Sequence, residues 1–124
     1  MSDGEGAVLD SRSVLGEELN NFIEEYVDSF VKWDLVTFFS FNPDAVGTSD
    51  DLASRLGRKT DEIRDALENL TEKKLLKFDA KDKVYSFSPS EDLRDKVKSF
   101  CDALEDRDKR LEILAKLLRM KATN

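Results

Sequence analysis

From Val14 onward, apolar side chains recur at three- and four-residue steps: Leu15, Leu19, Phe22, Ile23, Tyr26, Val27, Phe30 and Val31. That period predicts a helix over 13–32, with Glu17, Glu18, Glu24, Glu25 and Asp28 on its solvated side. The stretch from Trp33 to Phe41 stays apolar and aromatic, and the pattern leaves open whether it continues the preceding helix. Leu35, Phe38 and Phe39 are its core candidates. The aromatics lie at helical spacing with no basic residues between them, which favours packing over a platform for stacking bases. Asn42-Pro43-Asp44 closes the segment, since the residue before a proline is pushed out of helical geometry. A helix follows over Ser49 to Leu56, with Thr48 or Ser49 as N-cap, Asp50 and Asp51 in its first turn and Gly57 as its stop. A second helix opens near Thr60, a candidate cap, and turns Ile63, Ala66, Leu67 and Leu70 inward while Arg64, Asp65 and Glu68 face out. After Leu75 the period shortens. Leu76-Lys77-Phe78 and Val84-Tyr85-Ser86-Phe87 read as two strands joined by the polar stretch 79–83. From Ser90, a cap, to about Lys121 the pattern predicts one long helix. Its four-three alternation runs through Leu93, Val97, Phe100, Leu104, Leu111, Leu114 and Leu118, interrupted at Arg107.

The order helix, tight turn, helix, hairpin resembles the winged helix-turn-helix transcriptional regulators of the MarR and ArsR type. The residues that carry the likeness are Asp51-Leu52-Ala53-Ser54-Arg55-Leu56-Gly57, Ile63-Arg64-Asp65-Ala66-Leu67-Glu68-Asn69-Leu70, Leu75-Leu76 and the hairpin after them, about a third of the chain. The resemblance implies a mainly α fold with a small β-hairpin wing, flanked by long N- and C-terminal helices. It also implies that Ala53 is small so that the two helices can cross closely, and that 45–48 supplies a short third strand beside the wing. Lys74 stands where the family usually has glycine, which predicts a slightly different exit into the wing. Low hydrophobicity and two glycines predict an acidic disordered tail at 1–12, and with the resemblance the expected organisation continues as a dimerisation helix at 13–32, the winged helix-turn-helix at 33–89 and a second dimerisation helix at 90–124. A homodimer built from both terminal helices is expected, because their two apolar bands exceed what one small domain covers. Pairing of the two helices within one chain is the alternative. Cys101 lies beside the C-terminal seam, where a buried, inert role is expected.

Composition narrows the chemistry. In 124 residues, 40% are hydrophobic and 38% charged, which suits one helix-rich domain. No apolar run approaches the roughly 20 residues of a membrane span, and the acidic start at 1–6 lacks the features of a signal peptide, so a cytoplasmic location is expected. There is no histidine and a single cysteine, which excludes Ser-His-Asp and Cys-His catalysis, ordinary zinc sites and a disulfide framework. The five glycines form no phosphate-cradling loop. No enzymatic activity and no cofactor are expected.

The net charge of −7 is unevenly spread. Residues 1–47 hold ten acids against two bases, 48–89 hold nine of each, and 90–124 hold eight against nine. The central segment is therefore neutral, which leaves binding to double-stranded DNA open despite the acidic whole. By the resemblance, the second helix would enter the major groove. Lys59, Thr60 and Arg64 would then touch bases or phosphates, Arg58 the backbone from the turn, and Lys81 and Lys83 the backbone from the wing. Asp61, Asp65 and Glu68 on the same helix, with Asp79 and Asp82 on the wing, oppose this. Two functions are thus expected from this chain: a dimeric DNA-binding transcription regulator, or a winged-helix protein-interaction module that binds no DNA.

Overall fold

The computed structural model describes residues 15–123; the predicted tail at 1–12 lies outside them. The described residues form six α-helices and a three-stranded antiparallel sheet. In chain order these are α1 (Glu17–Tyr26), α2 (Phe30–Phe41), β1 (Val46–Gly47), α3 (Ser49–Leu56), α4 (Thr60–Glu72), β2 (Leu76–Asp79), β3 (Val84–Phe87), α5 (Glu91–Leu104) and α6 (Arg107–Thr123).

The predicted helix over 13–32 is broken in two. Its helical backbone stops at Tyr26, and Ser29 caps a new helix, its Oγ accepting from the Lys32 N–H at 3.2 Å. A serine inside an apolar band can offer its oxygen to amides that a fresh helix leaves without partners, which is enough to restart the helix at a new angle. Phe30 and Val31 therefore belong to α2, and the boundary expected at residue 33 moves to 30. Lys32, buried at the start of α2, reaches Asn69 Oδ1 at 2.6 Å and Asp28 Oδ1 at 2.9 Å, which ties α2 to α4 and satisfies a charge held out of water.

The helical pair at the centre follows its sequence closely. Thr48 caps α3 in a reciprocal box: its Oγ1 accepts from the Asp51 N–H at 3.1 Å, and its own N–H donates to Asp51 Oδ2 at 3.2 Å. Gly47 lets β1 approach α3, because a Cβ there would sit 3.3 Å from Asp51 Cβ. Lys59, not Thr60, occupies the N-cap position of α4; Thr60 is the first helical residue, and no side chain caps that end. Both helices end in the same hydrogen-bond pattern. Arg58 N–H donates to Ala53 O (3.0 Å) and Gly57 N–H to Ser54 O (3.3 Å), just as Leu75 N–H donates to Leu70 O (3.0 Å) and Lys74 N–H to Thr71 O (3.0 Å). The residue at the corner must be left-handed, and it is Gly57 at φ 65° in one case and Lys74 at φ 69° in the other. The exit into the hairpin is thus the one a glycine would give, not the different one that Lys74 predicted.

The sheet has the order β1-β3-β2. Leu76 pairs with Phe87 and Asp79 with Val84, while Val46 and Gly47 pair with Ser86 and Tyr85. Asp79 Oδ1 accepts from the Lys81 N–H at 2.9 Å and shapes the turn, in which Lys83 is left-handed at φ 58°.

The long C-terminal helix also breaks. Asp106 restarts it as α6, its Oδ1 accepting from the Lys109 N–H at 3.1 Å. The restart rotates the apolar face. Ile113 and Leu117 are the buried residues of α6, whereas Leu111, Leu114 and Leu118, expected in a continuous seam, point outward. The core joins all the layers: Phe100 of α5 meets Phe22 of α1 at 5.8 Å and Trp33 of α2 at 6.2 Å, and Phe39 stacks on Phe87 of β3 at 6.2 Å. The apolar band of α1 is therefore covered within the chain by α5, which is the pairing given above as the alternative. Cys101 is buried, as expected.

Candidate interaction surface

The surface that the sequence singled out consists of the turn after α3, the outer face of α4 and the tip of the hairpin. Gly57 aims Arg58 back toward α2 rather than outward. Its Nε donates to Asp34 Oδ2 at 2.6 Å, and its Nη1 lies 3.6 Å from Glu62 Oε1. The guanidinium thus fastens the turn to the scaffold and is already neutralised on two sides.

Lys59 is exposed beside it and makes no ion pair among the described residues. Thr60 is partly buried at the start of α4. Arg64 is exposed, with Nη1 3.6 Å from Asp61 Oδ1. Lys81 and Lys83 are exposed at the hairpin tip, also without an ion pair among the described residues, and the backbone at Lys83 is left-handed. The structure therefore gathers Lys59, Thr60 and Arg64 at one end of α4, sets Lys81 and Lys83 on the hairpin, and removes Arg58 from the free surface.

The outer face of α4 is dominated by carboxylates. Asp61, Glu62, Asp65, Glu68 and Glu72 are all exposed, and Arg64 is the single base in the helix, which gives α4 a formal charge of −4. Tyr85 of β3 lies within electrostatic reach of this face. Its hydroxyl is held above the usual phenol range, by burial first and then by the charge of Glu68, with Arg64 pulling the other way. Phe78 packs on the Tyr85 ring at 4.7 Å and still leaves 42% of its surface in water. Asp34 and Phe78 were not legible as site residues. Asp34 lies 24 positions from Arg58 with no local signal, and Phe78 reads simply as one apolar residue of a short strand.

Two further features bound what the surface does. A cavity of about 490 Å³ lies between α1 and α5, lined by Leu19, Phe22, Lys96, Ser99, Asp102 and Ala103 among others, on the side of the molecule where α1 begins. Among the described residues no group of three or more His, Cys, Asp or Glu side chains is placed to hold a metal ion, and no helix is long and apolar enough to cross a membrane. Compared with known proteins, the chain matches no family model, no curated protein and no solved structure.

Proposed function

We propose that residues 30–87 form a winged helix-turn-helix, with α3 and α4 as its helical pair and β2 and β3 as its wing, and that it acts as a protein-interaction module rather than a reader of duplex DNA. The element order, with β1 on the outer side of β3, supports the fold. The charge of α4 carries the function. A helix laid in the major groove brings its outer face within a few ångströms of two phosphate rows, and this one would bring Asp61, Asp65, Glu68 and Glu72 there against one arginine, with Glu62 turned toward Arg58. Specific DNA binding typically draws on about 6–10 phosphate contacts. Of the six positions marked as DNA contacts, Arg58 is bound to Asp34 and Glu62, Arg64 faces Asp61, and Thr60 carries no charge. Lys59, Lys81 and Lys83 remain. A basic protein surface is the complementary partner for such a face, since opposite potentials speed encounter and exclude like-charged competitors.

The unpaired lysines favour one second possibility, DNA binding led by the wing with a second copy doubling the cations. A single titration separates the two. Fluorescence anisotropy of labelled duplexes from the gene's own upstream region, at about 50 and about 200 mM salt, is expected to stay flat in both. Binding at the lower salt that falls steeply at the higher, and is abolished by Lys59→Glu with Arg64→Glu, would establish the DNA reader instead. Glu68→Lys adds a control, since the residue is exposed and its reversal tests whether the acidic face is what keeps the duplex away.

A further inference from the structure

The last two helices are folded back on each other at a point where the chain has no glycine and no proline, from Glu91 through to Thr123. Only Glu105 and Asp106 separate Leu104, the end of α5, from Arg107, the start of α6. Glu105 itself keeps a helical backbone, at φ −80° and ψ −17°. The apolar phase also crosses the break unchanged: Leu93, Val97, Phe100, Leu104, Arg107, Leu111, Leu114 and Leu118 follow steps of four and three with no residue skipped. A period suited to one continuous helix is thus bent at a single residue. Little holds the bend locally. Asp106 Oδ1 accepts from the Lys109 N–H at 3.1 Å, Arg110 Nη1 donates to Leu104 O at 2.8 Å, and the Glu105 and Asp106 amides make short bonds to Asp102 O and Ala103 O, each 3.1 Å, that close the last turn of α5.

The contacts that fix α6 lie further along it. Ile113 and Leu117 are buried, Leu117 lines a cavity together with Phe30 and Val31 of α2, and Lys116 Nζ is held 2.7 Å from Glu24 Oε2 of α1. None of these depends on the two-residue connection. A second copy of the chain offers the same receiving surface, so α6 can make all of them there. If 105–106 straightens, amides and carbonyls that the bend leaves to short bonds and caps enter one continuous helix. Exchange of an identical element is a low-cost route to a dimer, and short connections favour it. We infer that this chain dimerises by exchanging α6: residues 105–106 act as a hinge, and the α6 of each copy sets Ile113 and Leu117 into the other, with Lys116 facing Glu24 of the other copy. The exposed leucines of α6 take no part in this contact. The hinge is separate from the α4 surface and does not depend on what α4 binds.

The test refolds the full chain from urea, since exchange needs α6 undocked, and reads mass by light scattering. A monomer at about 10 µM and a dimer fraction that grows toward about 1 mM are expected. Asp106→Ala removes the cap and favours the continuous helix, twice per dimer, so it should raise the association constant at least about tenfold. Three glycines inserted between Glu105 and Asp106 relax the turn and interrupt the helix, which should lower that constant at least about tenfold. Far-UV circular dichroism checks that each variant keeps its helices. A charge exchange identifies the contact. Glu24→Lys and Lys116→Glu each set like charges against one another in their own chain, and the opposite pair is restored only when α6 of one variant docks on the other. Refolded as a mixture, the two should give a heterodimer in native mass spectrometry at about threefold or more above the statistical share. The overturning results are no dimer of the unaltered chain at the higher concentration, a dimer undiminished by the glycines, a statistical mixture, or a dimer that Leu118→Asp dissolves. The last would assign the contact to the exposed leucines instead.

Discussion

Arg58 Nε sits 2.6 Å from Asp34 Oδ2, a contact that joins the turn between α3 and α4 to the middle of α2. Position alone marked Arg58 as a cation aimed at a phosphate backbone; its partner makes it a fastener. Both side chains are about one-third exposed, at 28 and 39%, so water and salt screen the pair. Asp34→Ala is expected to lower stability by no more than about 1 kcal/mol in urea unfolding. Because the variant releases the guanidinium from α2 and leaves only Glu62 beside it, it also asks whether the Asp34 pairing withholds Arg58 from DNA. With α4 unchanged, duplex titration of Asp34→Ala should remain flat.

Lys74 adopts at φ 69° the conformation that Gly57 adopts at φ 65°, at the same place in the same end-of-helix motif. A side chain in the left-handed region crowds its own backbone by roughly 1–2 kcal/mol. Glycine removes that cost and adds back part of it through a more flexible unfolded chain. Lys74→Gly should therefore stabilise the protein by about 0.5–1 kcal/mol, seen as a higher urea midpoint with an unchanged slope. The mirror change, Gly57→Ala, should destabilise by a similar amount or more, although a Cβ there meets nothing within 4 Å.

How far the sequence reveals this fold depends on how local each determinant is. The N-cap at Thr48, one of the two caps the pattern offered, the glycine stop at 57, the inward set Ile63, Ala66, Leu67 and Leu70, and the pairing of the two short strands all depend on residues a few positions apart, and all are found where the pattern places them. The two breaks were hidden by the same feature that made the helices visible. Ser29 and Asp106 each interrupt an apolar period that otherwise runs on, and periodicity registers the run rather than the cap. The consequence at α6 is large. A restart at Asp106 exchanges Leu111, Leu114 and Leu118 for Ile113 and Leu117 as the buried face, and with it the surface left for a partner. The partner of Arg58 required knowledge of packing between distant segments, and no single-sequence pattern supplies that.

Cys101 makes stability fall at alkaline pH. Burial pushes its thiol above the ordinary value, Asp102 and Glu105 add to the rise, and a hydrogen bond with Ser40 opposes it. The raised pKa means that the native state still holds the proton after the unfolded chain has begun to release it. The sign is then fixed: the stability is fully present below the ordinary thiol pKa of about 8.5 and is lost as pH climbs through the raised native value. Tyr26 and Tyr85, also raised chiefly by burial, extend the loss to higher pH. Urea midpoints measured from pH 7 upward should decline from about 8.5, and Cys101→Ala should delay the onset toward the tyrosine range. The same burial predicts that a thiol reagent labels Cys101 in urea and scarcely at all in the native protein.

Phe100 is the side chain on which the attachment of α1 depends. It is fully buried, with Phe22 of α1 at 5.8 Å on one side and Trp33 of α2 edge-on at 6.2 Å on the other. Truncation of such a residue removes its transfer free energy and leaves a cavity that the surrounding helices close only in part, at a cost of about 3–5 kcal/mol. Against a total stability of roughly 5–15 kcal/mol, that is a large share. Phe100→Ala should therefore lower the urea midpoint far more than Asp34→Ala, and Phe22→Ala should be costly as well. The two losses should not add. The rings touch, so the double variant removes their shared interaction once, and a double-mutant cycle is expected to return a coupling of about 0.5–1.5 kcal/mol. Additive losses would mean that α1 is held by its backbone and by Ile23 rather than by this aromatic contact. A coupling in the expected range makes this ring contact the interaction that holds α1 against α5.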